Sequence, residues 1–338
     1  MRKIKIAQIG TSHRSHGNDI FNTLKRLDDI FEIVGYAMPE NEEEKFEIRM
    51  KDFEGYRKMS VDEILDAKDI EAVFIETEEV YLTKYALMAA EKGKHIHIEK
   101  PGGTDLSEFE LLINKMKKTG KVFHPGYMYR YNPHIVKLMD SIQNGELGEI
   151  ISVEAQMSVG GSYSEKSSSW LKSLPGGMMF FLGCHIVDLI VAIQGEPEKI
   201  TPFYKCYGDE ASCGAEFSMA VFEYKNGISF AKTTSLEPGG YSRRCLVVNG
   251  TNQTHIISPL EAFAYGEYLQ TTTLKRDIKD NQWVDEGVAE KSGMFDRYEA
   301  MLRSFASMVS GEIENPRSYD YELMLYKTIL RAGGVSDV

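Results

Sequence analysis

The sequence predicts an α/β protein of two domains. Residues 1–126 should form a doubly wound parallel sheet, and residues 127–338 an α+β domain with a large, mainly antiparallel open sheet. Two observations predict this fold: strand-like and helical segments alternate as far as about residue 126, whereas strands follow strands beyond it. In addition, 338 residues with 42% hydrophobic content are enough for two cores. Ligands of a doubly wound sheet bind at the carboxyl ends of its strands, so functional residues are expected there.

The first domain is justified by five apolar strand-like runs separated by amphipathic segments. The strand-like runs are IKIAQIG, FEIVGYA, EAVFIET, KHIHI and KVFHPGY. Helices are predicted after the first strand, where Ile20 and Leu24 share a face, and over 81–92 and 107–118. Ser60 with Glu63, and Ser107 with Glu110, fit the capping box that opens a helix.

The second domain begins with a helix and continues as a series of strands. Asn132 and Pro133 suit the cap and first turn of a helix that runs to about Gln143. Hairpin turns are predicted at Asn226-Gly227 and Asn249-Gly250. The strands are EIISVEAQMSV, ITPFYKCYG, SMAVFEYKNGISFAKTT and RRCLVVNGTNQTHIIS, and two closing helices are MFDRYEAMLRSFASMV and DYELMLYKTILRA.

Composition favours a cytoplasmic protein that binds a small molecule. A net charge of -12, with an acidic run at 42–44, argues against a nucleic-acid or anionic-membrane surface. The amino terminus enters a strand pattern directly, without the apolar core of a signal peptide, and no run has membrane-spanning length. The four cysteines (Cys184, Cys206, Cys213 and Cys245) lack zinc-site spacing, so we expect free thiols and no metal.

The segment from Gly10 to Gly17 joins the first strand to the first helix, where a dinucleotide diphosphate would bind. Against G-x-G-x-x-G it keeps only Gly10, with Ser12 and Ser15 at the other glycine positions, so a tight serine-capped turn is the alternative. His13 and Arg14 either reach the diphosphate or lie at the mouth of the cleft.

The end of the second strand carries Met38 where an acid usually binds the adenosine ribose. Glu40 could replace that acid, and Glu42, Glu43 and Glu44 would repel a 2′-phosphate. The expected cofactor is therefore NAD, with NADP less favoured.

The stretch HIHIEKPGG ends a predicted core strand on a charged pair, Glu99-Lys100, followed by Pro101. This E-K-P segment, R-Y-N-P at 130–133, and G-G-x-x-x-x-x-G-x-H-x-x-D ending at Asp188 together resemble the Gfo/Idh/MocA oxidoreductases, the family of glucose-fructose oxidoreductase and inositol dehydrogenase. The resemblance covers nearly the whole chain. It implies an amino-terminal Rossmann domain, a substrate-binding and oligomerisation domain, and a homodimer or homotetramer.

The resemblance also implies roles for individual residues. Lys100 and His185 would be catalytic, with Glu99 and Pro101 beside the cofactor and the Lys100–Pro101 peptide often cis. In the family segment A-T-P-N-x-x-H only Thr77 matches; Glu78 could accept ribose hydroxyls or belong to a solvated acidic loop. The resemblance places a further acid at Asp188. On the substrate side, Tyr127 and Trp170 either stack on a sugar or belong to the core. Arg130 is placed for substrate or cofactor contact, and Phe181 would border the substrate pocket.

Phe181 departs from the family pattern, which usually has an aspartate four residues before the histidine. Residues four apart share a helix face, so Phe181 is expected beside His185, where it would favour the neutral imidazole.

These features predict an NAD-dependent oxidoreductase that transfers a hydride between nicotinamide and a sugar, cyclitol or related polyol. Two alternatives remain open at this point. One is a catalytically degenerate regulator that senses a dinucleotide or sugar, suggested by the eroded glycine loop, Met38 and Phe181. The other is an NAD-dependent glycoside-cleaving enzyme, since some relatives use retained NAD for transient oxidation.

Overall fold

The computed structural model describes residues 2–160, 165–207, 214–278, 286–336 and 338. Contacts divide the chain into two compact units. The first comprises Met1–Gly126 and Tyr298–Leu323, and the second Tyr127–Arg297 and Met324–Val338. The two-domain prediction placed all of 127–338 in the second domain and so differs for Tyr298–Leu323. That segment returns to the first unit because Phe305 packs edge-on against Phe74 of its sheet.

The first unit contains a five-stranded parallel sheet in the order β2-β1-β3-β4-β5. Its strands are β1 (Ile4–Ile9), β2 (Phe31–Ala37), β3 (Ala72–Ile75), β4 (His95–Ile98) and β5 (Phe123–Pro125). Its helices are α1 (Gly17–Arg26), α2 (Glu42–Lys45), α3 (Val61–Asp66), α4 (Leu82–Glu91) and α5 (Leu106–Thr119). The predicted doubly wound fold is confirmed.

Helix starts follow the local capping chemistry. Ser60 and Glu63 form the predicted capping box at the start of α3. The box predicted at Ser107 and Glu110 is wrong, because Asp105 caps α5 by accepting a hydrogen bond from the Glu108 N–H at 2.9 Å. An aspartate at this position satisfies an otherwise unpaired amide in the first turn.

The second unit is built around an eight-stranded sheet with the order β15-β14-β11-β10-β6-β9-β8-β7. All of its neighbouring strands are antiparallel except β6 and β9, so the predicted mainly antiparallel sheet is confirmed. The strands are β6 (Ile150–Gln156), β7 (Lys199–Lys205), β8 (Phe217–Tyr224), β9 (Gly227–Thr234), β10 (Cys245–Gly250), β11 (Gln253–Ile257), β14 (Thr272–Asp277) and β15 (Val288–Lys291), and a separate hairpin holds β12 (Ala262–Tyr265) and β13 (Tyr268–Gln270).

The helices after residue 126 are α6 (Pro133–Gln143), α7 (Glu165–Lys172), α8 (Cys184–Gln194), α9 (Glu299–Ser310) and α10 (Tyr319–Ala332). As predicted, Asn132 caps α6 and Pro133 opens it. The predicted β8–β9 hairpin is present, but Tyr224 pairs with Gly227, so its turn residues are Lys225 and Asn226. In the β10–β11 hairpin Asn249 pairs with Thr254, so this turn also lies off the predicted Asn249-Gly250.

Among the described residues, no helix combines the length and apolar character needed to cross a bilayer. Cys184, Cys206 and Cys245 are free thiols, and Cys213 lies outside the described residues. Within the same part of the chain, no group of three His, Cys, Asp or Glu side chains could hold a metal ion.

Candidate active site

The carboxyl ends of β1 and β3 meet at Gly10 and Thr77. Gly10 has φ +86°, and a Cβ there would lie 2.5 Å from Thr77 Cγ2 and 2.8 Å from its Cα. Only glycine combines this backbone conformation with so close an approach. The Ser12 N–H donates to the Glu76 carbonyl at 2.8 Å, which holds the loop against the end of β3. The structure therefore brings Gly10, Ser12 and Thr77 together, as expected for a dinucleotide-binding turn.

Serines and an arginine hold the loop where the usual second and third glycines are absent. The Ser15 hydroxyl donates to the Ser12 carbonyl at 3.1 Å and accepts from the Gly17 N–H. Arg49, which the sequence analysis missed, donates from its guanidinium to the carbonyls of His13 and Ser15 at 3.1 and 3.3 Å. Arg49 lies in a 3-10 turn distant in sequence, so no local pattern indicated it.

Glu42, expected with Glu43 and Glu44 to repel a 2′-phosphate, differs from both neighbours in its surroundings. Its side chain is fully buried, and its two oxygens accept hydrogen bonds from the N–H groups of Thr11 (2.9 Å) and Glu78 (3.2 Å). This carboxylate thus joins the loop after β1 to the loop after β3. Burial raises the pKa of Glu42 to about 7, although the two backbone N–H groups favour the anion and act to lower the pKa.

Other residues proposed for the adenosine side have different surroundings. Met38 is half-buried beyond β2. Glu40 accepts hydrogen bonds from Lys84 Nζ and the Tyr85 hydroxyl at 2.5 and 2.6 Å, so this carboxylate is already occupied by α4. Glu78 pairs with Lys45 at 2.8 Å.

The acidic segment after β3 is not a solvated loop, because Glu76 and Glu79 are buried beside the half-buried Glu78. In the preceding loop His13 is exposed and Arg14 is half-buried, and burial lowers the pKa of the Arg14 guanidinium. Since arginine is effectively always protonated, Arg14 remains cationic.

Glu99 and Lys100 end β4 inside the protein. Their side chains are 6% and 4% exposed, and Lys100 Nζ lies 3.6 Å from Glu99 Oε1. The other oxygen of Glu99 accepts the His16 N–H at 3.1 Å, just ahead of α1. Contact with the Lys100 cation lowers the pKa of Glu99, despite an opposing effect of burial. The Lys100–Pro101 peptide is cis, and Pro101 is buried.

In the second unit, His185 lies in the first turn of α8 and is 2% exposed. The rings of Tyr127 and Tyr129 meet its imidazole edge-on, with centroids 6.1 and 5.1 Å away. Tyr129 is fixed in turn, since its hydroxyl donates to Glu261 at 2.7 Å. Glu261 also accepts hydrogen bonds from Arg244 and Arg297 at 3.0 Å, so this buried carboxylate anchors the aromatic side of His185.

Arg130 and Asp188 form a buried ion pair one helical turn from His185. Arg130 Nη2 and Nε contact the Asp188 carboxylate at 2.7 and 3.0 Å, and the Arg130 guanidinium lies 4.5 Å from the centre of the Tyr127 ring. The fork geometry of this pair fixes both side chains. Arg130 and Asp188 therefore order Tyr127 and α8, in addition to any substrate contact they make.

Phe181 lies in a π-helical segment, Met179–Gly183, directly before α8. Its ring meets Trp170 edge-on at 4.6 Å. The wider π turn changes the four-residue spacing on which adjacency of Phe181 and His185 was predicted. That adjacency stays a prediction, and the contact with Trp170 places Phe181 and Trp170 in one aromatic cluster.

Two family models match the chain. A model described as an oxidoreductase family with an NAD-binding Rossmann fold matches residues 4–127, and the GFO/IDH/MocA C-terminal domain matches residues 135–255. The chain belongs to the Gfo/Idh/MocA family. The first matched range contains the Gly10 loop and Lys100, and the second contains His185.

Curated relatives of this Gfo/Idh/MocA protein include several dehydrogenases. It is 28% identical to glucose-6-phosphate 3-dehydrogenase of Bacillus subtilis over 56% of this chain and 53% of the relative. It is 27% identical to scyllo-inositol 2-dehydrogenase (NAD(+)) of the same organism over 61% of each chain. An uncharacterized oxidoreductase, YhhX of Escherichia coli, is 26% identical over 64% of this chain and 59% of the relative. The chain thus matches less than two thirds of the length of these relatives.

Solved structures agree in fold. A levoglucosan dehydrogenase in complex with NADH and levoglucosan superposes with a TM-score of 0.79 at 17% identity, covering 98% of both chains. An oxidoreductase from Desulfitobacterium hafniense gives a TM-score of 0.80 at 19% identity, covering 99% of this chain and 95% of that one.

The residues at the end of the first sheet fit a dinucleotide. The close approach of Gly10 to Thr77 leaves a turn without side-chain bulk, and the His13 N–H makes no hydrogen bond within the described residues. Together with the Arg14 cation, that amide suits a diphosphate.

Proposed function

We propose that the chain is an NAD-dependent dehydrogenase that acts on a carbinol carbon of a sugar, cyclitol or related polyol. The observation that carries the proposal is the buried Glu99–Lys100 pair at the end of β4, which keeps an ammonium group at the strand end beside the dinucleotide loop. Relatives named for glucose-6-phosphate and scyllo-inositol support the substrate class.

Bound NAD would accept or donate the hydride. His13 and Arg14 would hold its diphosphate. The acidic run at 42–44 supports a preference for NAD over NADP, because carboxylates repel a 2′-phosphate.

Lys100 and His185 would handle the substrate proton. The Lys100 ammonium, held by Glu99, donates a hydrogen bond to the substrate oxygen and stabilises negative charge that develops on it. His185 acts as the general acid or base, because imidazole titrates near neutral pH. Tyr127 and Tyr129 hold the imidazole edge-on, and the Arg130–Asp188 pair fixes Tyr127.

The test is a panel of sugars and polyols with NAD and NADP, followed by Lys100→Met and His185→Ala on the best substrate. Each substitution should lower kcat/KM by about 10²- to 10⁴-fold, the range for proton-transfer groups. Lys92→Met is the matched control, because Lys92 is an exposed lysine paired with Asp66. Full turnover in either active-site variant would refute the assigned roles. Release of an aglycone without net NADH would favour glycoside cleavage, and cofactor binding without turnover of any substrate would favour a sensor.

A further inference from the structure

Glu76 follows β3 and is a buried carboxyl group, and among the described residues the only basic nitrogen within 4 Å of its oxygens is His97 Nε2, at 3.8 Å. It is 0% exposed, and neither of its oxygens accepts a hydrogen bond from the described residues. Its side chain lies under α1, since a Cβ on Gly17 would approach Glu76 Cβ at 3.0 Å. A buried carboxylate that accepts no hydrogen bond raises the free energy of the folded state, which favours the protonated form of Glu76.

The nearest titratable neighbour is another acid. Ile75 of β3 pairs with Ile98 of β4 in the parallel sheet, so Glu76 and Glu99, the next residue of each strand, stand side by side at the strand ends. Two neighbouring carboxyl groups can hydrogen-bond to each other only if one of them carries a proton. Glu99 is the better anion, because it accepts the N–H groups of His16 and Lys100 and lies beside Lys100 Nζ. Burial and the Glu99 charge both raise the pKa of Glu76 well above its ordinary value.

The surrounding bases do not supply a counterion to Glu76. His97 Nε2 is 3.8 Å from Glu76 Oε1, beyond hydrogen-bonding distance, and burial lowers the pKa of His97 to about 4. His97 and His124 also share an Nδ1–Nδ1 contact of 2.8 Å, which requires at least one neutral ring. The Arg49 guanidinium donates to loop carbonyls, Thr11 and Asn18, and Lys100 contacts Glu99.

We propose that Glu76 is a positioning residue that stays protonated at working pH and donates its proton to Glu99. The hydrogen bond leaves Glu99 as a single, oriented carboxylate that serves Lys100 on one side and the start of α1 on the other. Ionisation of Glu76 would place two carboxylates in contact beneath the dinucleotide loop. The pair would then separate and disturb both the loop and Lys100. The Lys100 part of this inference rests on the proposed function, whereas the protonation of Glu76 does not.

The first test needs neither substrate nor cofactor. Infrared difference spectra of the cofactor-free protein at pH 7, wild type minus Glu76→Gln, should show loss of one protonated carboxyl C=O band that shifts in D2O. Glu78→Gln is the matched control, because Glu78 is paired with Lys45 and its loss should remove a carboxylate band. A carboxylate band lost from Glu76→Gln would overturn the proposal.

The second test separates a positioning role from a purely structural one. NAD affinity of the wild type should fall at alkaline pH, where Glu76 ionises. In Glu76→Gln, which keeps a neutral donor, this alkaline fall should be absent. Glu76→Ala removes the donor and should lower kcat/KM by about 10-fold and move the pH profile, with rescue by Gln. If Lys100→Met is inactive but Glu76→Ala keeps both rate and pH profile, the positioning role is wrong while the proposed function stands. If Lys100→Met is fully active, the proposed function fails, and the infrared result still decides the protonation of Glu76.

Discussion

Replacement of Glu42 by glutamine should change how stability depends on pH. The pKa of this carboxyl is raised from 4.5 to about 7 by burial, so the folded state holds a proton that the unfolded state releases. Stability from this group is complete below pH 4.5 and is lost as pH rises through about 7. At about 1.4 kcal/mol for each pKa unit, the loss comes to about 3 kcal/mol.

Glu42→Gln cannot ionise, but its amide NH2 faces one of the two backbone N–H groups, which lowers its stability by the same amount at every pH. Its stability relative to the wild type should therefore rise between pH 5 and pH 8, by up to about 3 kcal/mol. Urea unfolding of the cofactor-free protein at both pH values measures the difference. Glu44→Gln is the matched control, because Glu44 is an exposed carboxylate in the same short helix. Parallel pH slopes for the wild type and Glu42→Gln would refute the burial argument.

Cofactor binding should depend on Glu42 through the loop that it holds. Both Glu42 oxygens accept backbone N–H groups, from Thr11 and Glu78, so in Glu42→Gln one of these N–H groups loses its acceptor. The affinity for NAD should then fall about 10-fold, equivalent to about 1.4 kcal/mol, whereas Glu44→Gln should leave it unchanged. Calorimetric titration measures both affinities. An NAD affinity unchanged in Glu42→Gln would show that the loop keeps its conformation without this carboxylate.

Three further predictions concern the loop, the buried ion pair and assembly. Gly10→Ala should weaken NAD binding and destabilise the fold by more than the ~1–2 kcal/mol of left-handed strain, because its Cβ meets Thr77. Gly55→Ala is the control, since Gly55 has φ +84° with open space around it and should show the strain alone in thermal unfolding. Asp188→Ala should cost about 3–5 kcal/mol in urea unfolding by leaving Arg130 buried and unpaired, and an unchanged midpoint would exclude a structural role for the pair. Light scattering should give a homodimer or homotetramer, since the second unit's large sheet leaves apolar side chains such as Met219 and Val221 half-exposed, and a 38.3 kDa particle at micromolar concentration would contradict this.

The alternation of strand and helix patterns along the sequence was sufficient to predict the fold class. Alternating strands and helices indicated the parallel sheet, and Asn132-Pro133 located the start of α6. The return of Tyr298–Leu323 to the first unit could not be predicted in this way. The apolar face of α9 is suited to packing on either sheet, and its choice depends on the contact of Phe305 with Phe74. Periodicity shows which face of a helix is buried, but not which sheet that face packs against.

The π turn before α8 shows a related limit. The segment Met179–Gly183 is apolar and reads as a continuous helix, so spacing alone placed Phe181 one turn before His185. A π turn has no strong signature in composition, and it rotates the residues that precede it relative to those that follow. The family pattern predicts a role for His185, whereas the contact of the Phe181 ring with Trp170 depends on the π turn and could not be read from spacing.

The burial of the acidic residues was the hardest feature to predict from sequence, because consecutive glutamates in one run are buried and exposed in turn. Glu42, Glu43 and Glu44 are consecutive, and an acidic run is ordinarily solvated. In α2, however, successive side chains point about 100° apart, so one glutamate turns inward while its neighbours stay exposed. The inward residue is then held by the N–H groups of Thr11 and Glu78 from two loops far apart in sequence. The sequence alone therefore could not show that Glu42 joins the two loops, because its partners are backbone groups and not a local motif.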